Sequence, residues 1–195
     1  MEKHPLITVY GKTSNASFPL ILFVGREPDY PAPIAGGIGT YDFREPPNCG
    51  VWNTAYSLVG EICDCADLKG YCEKKKSSII VFTNISPRSL ENKIRNKTKE
   101  RLKVTPEEFK KHIEKIFSFR DLLARVRLIV LSGHKTPGFE FASHFFKEMC
   151  KKNHKQSFEV EFLDFRNSKK LREQFKNNRI RKKIKRAYEE WKRQF

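Results

Sequence analysis

Residues 20–28 read Leu-Ile-Leu-Phe-Val-Gly-Arg-Glu-Pro, and the rest of the chain is interpreted outward from this stretch. Its first five residues form an unbroken apolar run, which is typical of a strand buried on both faces. Gly25 ends the run where the backbone turns, and Pro28 disfavours a helix at the residue before it, Glu27. Glu27 is therefore expected on a stiff turn at the carboxyl end of a buried strand, where open α/β sheets bind ligands. A turn whose charges only face water is the alternative.

Three further segments have strand-like patterns, at 77–83, 127–131 and 158–165. The last of them alternates apolar and charged residues, which indicates a half-exposed strand near a sheet edge. Helical patterns separate the strands, at 51–62, from Thr105 onward and at 139–150. Strands separated by helices predict a parallel sheet covered by helices. The sequence therefore predicts one domain over residues 1–195, a three-layer α/β/α sandwich with a central four-stranded, mainly parallel sheet.

Two segments lie outside this pattern, and the second of them is expected to lack regular structure. Residues 1–18 are mixed in character and are predicted to be peripheral. Residues 29–48 are rich in proline and glycine, and a long loop of this kind inside a compact domain is usually functional. The loop carries Tyr30, Tyr41 and Phe43, three aromatic residues that would be unusual in water unless they served a function.

Composition narrows the class of protein. A length of 195 residues suits one well-cored domain, and a formal charge of +16 predicts attraction to polyanions, nucleic acid before anionic membrane. A merely soluble basic protein is the alternative. With neither a signal peptide nor an apolar run long enough to span a bilayer, the expected location is the cytoplasm, nucleoid or nucleus. The five cysteines are interpreted as reduced thiols because no secretion signal is present, and without paired Cys-x-x-Cys spacing they predict no metal site; no cofactor is expected.

The C-terminal segment, residues 166–195, supplies most of the charge. It holds 13 Lys or Arg residues against 3 Glu residues and is helical in composition. Trp191 and Tyr188 are expected to hold it against the body of the domain. Its cations are dense enough to neutralise phosphates, and a solvated basic face is the alternative.

The order of these elements resembles the uracil-DNA glycosylase superfamily, whose first strand ends in Gly-x-x-Pro as residues 25–28 do, and whose Asn-x-x-x-Trp variant is similar to residues 48–52. The resemblance implies that Glu27, with Asp29 as a second candidate, handles the attacking water. It also implies that Phe43, or Tyr41 in its place, stacks on an extruded base beside Tyr30. Asn84, after the second strand, would read the edge of the base.

The chain departs from this family after the fourth strand, where residues 164–168 read Asp-Phe-Arg-Asn-Ser instead of a His-Pro-Ser type motif. Arg166 would then replace the family's histidine in stabilising the departing base, or else grip phosphate. The residues expected to contact phosphate are Asn167, Ser168, Lys169, Lys170, His134 and Lys135, although the sequence favours an ordinary loop histidine at position 134.

Two functions remain open from the sequence. The first is a DNA glycosylase-like enzyme that acts on duplex DNA with a flipped base, or on single-stranded DNA, and excises the base by hydrolysis. The second is a catalytically altered nucleic-acid-binding module of the same fold. Hydrolysis of free nucleosides is disfavoured, because nucleosides carry no charge for so basic a protein to attract.

Overall fold

The structure is a computed structural model that describes residues 7–10, 21–25, 38–41, 50–87, 104–131, 138–153, 159–161 and 168–195. The strands are β1 (Ile7–Tyr10), β2 (Ile21–Gly25), β3 (Ile38–Tyr41), β4 (Ile80–Asn84), β5 (Leu128–Leu131) and β6 (Glu159–Glu161). The helices are α1 (Gly50–Ile62), α2 (Leu68–Lys75), α3 (Pro106–Phe117), α4 (Arg120–Leu123), α5 (Glu140–Lys152), α6 (Ser168–Gln174) and α7 (Asn178–Lys192). The predicted α/β class is confirmed.

The described strands form one sheet in the order β3-β1-β4-β2-β5-β6. The four strands that the sequence predicted are mutually parallel and adjacent, and β6 lies at an edge as expected. The predicted number of four strands is wrong, because β1 and β3 add two more: β1 is antiparallel to β4 and parallel to β3. The sequence of β1, Ile-Thr-Val-Tyr, favours a strand, but each added strand has only four residues and pairs with segments distant in the sequence. Its place in the sheet therefore depends on pairing that its own residues do not specify.

The strand at the centre of the parallel group, β2, is buried on both faces. Ile21 and Phe23 point into one apolar cluster, together with residues of α1, α2, α6 and α7. Leu22 and Val24 point into a second cluster with residues of α3 and α5. Helices therefore contact both faces of the sheet, and this explains why the 20–24 run contains no polar residue.

The helix α3 begins where the sequence predicted. Thr105 and Glu108 form a capping box, in which the Thr105 hydroxyl accepts from the Glu108 amide at 3.2 Å and the Glu108 carboxylate accepts from the Thr105 amide at 2.8 Å. Phe109, Ile113 and Ile116 are buried on one side of the helix. The cap and the apolar stripe together fix how α3 packs on the second face of the sheet.

The C-terminal segment is helical within the described residues, with a turn between α6 and α7. Trp191 is fully buried, and its indole Nε1 donates to Ser77 Oγ at 3.1 Å. Tyr188 is also buried, with its ring centroid 5.9 Å from that of Trp191. The two residues expected to hold this segment against the domain are thus both in the core.

Candidate functional site

The carboxyl ends of three parallel strands lie level with one another. The register pairs Gly25 of β2 with Asn84 of β4, and Val24 of β2 with Leu131 of β5. This is the edge of the sheet at which open α/β folds bind ligands. Of the residues predicted for the site, Asn84 is the one whose side chain the structure describes at this edge, and it is partly exposed there.

Asn84 packs directly against Gly25. An ideal Cβ added to residue 25 would lie 2.5 Å from Asn84 Oδ1, and the Ile85 amide donates to the Gly25 carbonyl at 2.8 Å. Because residue 25 has no side chain, the side-chain amide of Asn84 fits beside it. The sequence indicated a turn at Gly25, but only the register shows that this glycine and Asn84 belong to one site.

His112 of α3 forms a hydrogen bond with the backbone of Asn84. Sequence reasoning missed this histidine. Its Nε2 lies 2.8 Å from the backbone carbonyl oxygen of Asn84. Since a carbonyl oxygen only accepts, Nε2 carries the proton. The imidazole is buried, and burial lowers its pKa, with the hydrogen bond to Asn84 acting in the opposite direction. The available sequence signal was its place on the buried stripe of α3, between Phe109 and Ile113.

Stability is expected to fall on acidification because of His112. An unfolded histidine has a pKa of about 6.5, and burial lowers the pKa in the folded state, so the unfolded chain binds more protons below that pH. The stabilising contribution is complete above about pH 6.5 and is lost as pH falls from there through the folded pKa, at no more than about 1.4 kcal/mol per pH unit. Urea unfolding between pH 5 and 7.5 measures this slope.

The matched control for this pH slope is His144, an exposed histidine on α5 whose side chain is 75% accessible. His112→Gln should lose the His112 part of the slope, whereas His144→Gln should keep it. An unchanged slope in His112→Gln would show that the imidazole is not held neutral by burial.

Tyr41 lies far from Asn84 in the sheet. It ends β3, where it pairs with Tyr10, and continuation of the antiparallel register places Tyr10 level with Ile80, at the amino end of β4. Two strand spacings and four residues along a strand separate Tyr41 from Asn84, which is about 16 Å between their backbones.

Most of the other predicted site residues lie outside the described residues: Glu27, Asp29, Tyr30, Phe43, His134, Lys135, Arg166 and Asn167. Ser168 is the first residue of α6, and Lys169 and Lys170 follow it on the exposed surface. Lys170 Nζ lies 2.7 Å from Glu173 Oε2, and Lys169 borders a groove between α1 and α6.

The described cysteines, Cys63, Cys65, Cys72 and Cys150, are free thiols. Burial raises the pKa of Cys63, Cys72 and Cys150 to about 12, so these thiols are protonated at neutral pH and are poor nucleophiles. Within the described part of the chain, no three His, Cys, Asp or Glu side chains are grouped as metal ligands.

Comparison with protein-family models, curated protein sequences and solved structures gives no match to this chain. Its function is therefore inferred from its own residues. Among the helices in the described ranges, none has both the length and the apolar character needed to cross a bilayer.

Proposed function

We propose that this protein is a DNA glycosylase-like enzyme, which flips a base out of DNA and hydrolyses its N-glycosidic bond. The observation that carries the proposal is the contact between Asn84 and Gly25 at the carboxyl edge of β4 and β2. Glu27 follows Gly25 by two residues, a chain length of at most about 7 Å. This chain length allows the Glu27 carboxylate to approach the Asn84 amide, because β2 and β4 end side by side.

The two groups suit the two halves of the reaction. The Asn84 amide offers donors and an acceptor, as the edge of a pyrimidine requires. Cleavage of the glycosidic bond builds positive charge on the sugar, which the Glu27 carboxylate would stabilise while it orients the attacking water. Arg166 would balance the negative charge on the departing base, since a guanidinium remains protonated throughout.

An aromatic shelf would recover part of the cost of flipping, about 1–3 kcal/mol for each stacked base. Tyr30 follows Gly25 by five residues, whereas Tyr41 ends β3 at the amino end of β4. We therefore assign the stacking role to Phe43 or Tyr30 ahead of Tyr41.

The substrate class follows from charge. A protein with a formal charge of +16 and a basic C-terminal segment attracts a polyanion strongly and a neutral nucleoside not at all. DNA is accordingly proposed as the partner, with the base read at the sheet edge and the backbone held by cations.

The deciding experiment incubates the protein with duplex and single-stranded oligonucleotides that carry uracil, hypoxanthine, a thymine mismatch or a bulky modified cytosine, and measures abasic sites. Formation of abasic sites on one of these substrates is the expected result. Tight, salt-sensitive binding without any product would favour the second candidate, a nucleic-acid-binding module. That candidate is supported by the missing histidine in residues 164–168.

Gly25→Ala is expected to lower base release about 10- to 100-fold, the effect of losing one or two hydrogen bonds to the base. The new Cβ would meet Asn84 Oδ1 at 2.5 Å, and the amide would have to turn away. Because the obstacle is the end of a side chain, the loss of folding stability should stay near 1 kcal/mol. Single-turnover release and urea unfolding measure the two quantities.

The control for Gly25→Ala is the same change made in an Asn84→Ala background. If the glycine acts through Asn84, adding Gly25→Ala to Asn84→Ala should change base release no further. Additive losses in the double variant would contradict the proposed role of the contact.

A further inference from the structure

A groove with a volume of about 310 Å³ lies between α1, α6 and the start of α7. Leu58, Ile62 and Phe175 line its bottom, and each is 5% exposed or less. The accessible walls are therefore made by charged side chains with their aliphatic stems. These are Lys169, Arg172, Lys176 and Arg181, with Glu61 and Glu173.

The groove carries a positive field. Among the described residues, none of its four cations forms a salt bridge. Glu173 pairs with Lys170 instead. That hydrogen bond, followed by the charges of Lys170, Lys169 and Lys176, lowers the pKa of Glu173. Four cations against two carboxylates leave the site suited to an anion.

The α1 wall of the groove lies away from Asn84. The Tyr56 hydroxyl contacts Ser78 Oγ at 2.7 Å, just before β4 begins, and Leu58 and Ile62 follow Tyr56 toward the end of α1. Because β4 runs from Ile80 to Asn84, the α1 wall of the groove lies toward the amino ends of the strands. The groove is accordingly separate from the candidate base site.

The positive charge continues beyond the groove along α7. Six Lys or Arg residues occur between positions 179 and 186, more than one small anion requires. Apolar residues of the same helix, such as Ile180 and Ile184, are buried in the core, which fixes the helix against the domain. An extended, evenly charged ligand matches this arrangement better than a single phosphate does.

We infer that this groove is a second nucleic-acid contact, which binds the phosphodiester backbone at a distance from the base site. Lys169, Arg172 and Lys176 contact phosphates, while Arg181 directs the strand toward α7. The inference depends on the nucleic-acid-binding part of the proposed function and not on base excision. A backbone held in this groove would keep the DNA bound while one base is extruded at the other site.

The test compares two triple variants of the full chain, each lacking three positive charges. The groove variant is Lys169→Gln, Arg172→Gln and Lys176→Gln. The control variant is Lys110→Gln, Lys111→Gln and Lys151→Gln, which changes exposed lysines on α3 and α5, the helices packed on the other face of the sheet. The probe is a fluorescent 20-base-pair duplex without any modified base, titrated from 50 to 300 mM KCl.

The groove variant should bind the duplex at least about tenfold more weakly at 100 mM KCl, and its slope of log K against log salt should be shallower by about 2–3. The control variant should change the affinity less than about threefold. Equal losses in the two variants would overturn the inference, since net charge alone would then explain them. Single substitutions at 169, 172 and 176 should give graded losses, and thermal melts verify that each variant is folded.

Competition with ATP and inorganic pyrophosphate tests whether the groove binds a nucleic-acid backbone or a free nucleotide. Both should displace the duplex only at millimolar concentration. Displacement at micromolar concentration that is lost in the groove variant would assign the groove to a free nucleotide and overturn the backbone assignment. The experiment measures binding and no abasic product, so its result can be interpreted even if the protein does not excise a base.

Discussion

Replacing Glu27 with glutamine is expected to lower the rate of base release by about 10²- to 10⁴-fold, the range for loss of a general base. Glutamine keeps the size of the side chain and removes its charge. The variant can therefore neither stabilise the positive charge that develops on the sugar nor accept a proton from the attacking water. Single-turnover kinetics on the oligonucleotide identified by the substrate screen measure the change directly.

DNA affinity separates a chemical role of Glu27 from a structural one. Glu27→Gln should bind the same oligonucleotide as tightly as the parent, because only the reacting centre has changed. Glu114→Gln is the matched control, since Glu114 is an exposed glutamate on α3, and it should release the base at the parent rate. Release by Glu27→Gln at the parent rate would remove this residue from the mechanism.

Trp191→Ala is expected to lower the free energy of unfolding by about 3–5 kcal/mol, the usual cost of emptying a large aromatic site in a core. Trp191 is fully buried, and its ring centroid lies 5.6 Å from that of Tyr71 and 5.9 Å from that of Tyr188. The substitution also leaves the buried Ser77 hydroxyl without its indole donor. Urea or guanidinium unfolding measures the loss.

The consequence should extend to the proposed DNA-binding surface, because Trp191 holds α7 against the sheet. Weaker docking of α7 should make the C-terminal segment more susceptible to limited proteolysis and reduce DNA affinity. Phe141→Ala is the control, since Phe141 is 46% exposed on α5, and it should change stability by about 0.5 kcal/mol or less. Equal losses in the two variants would contradict the central place of Trp191 in the core.

The contacts within the candidate site could not be predicted from the sequence. The family resemblance points to Asn84, and the end of an apolar run points to Gly25. Their contact depends on the parallel register of β2 with β4, in which residues 59 positions apart become neighbours. His112 could not be identified from the sequence for a similar reason, since the hydrogen-bond partner of a histidine on an apolar stripe is known only once the helix is packed.

The sequence by itself determined the α/β class, the four parallel strands, the main helices and the excess of positive charge in the C-terminal segment. These are local properties, because the period of apolar residues and the charge of a segment can be read without knowing what lies beside it. The tertiary structure alone decided that β1 and β3 extend the sheet, that Tyr41 lies far from Asn84, and that cations of α6 and α7 share a groove with α1. Each of these depends on pairing between distant segments, whose free energy belongs to the assembled core and not to any one stretch of chain.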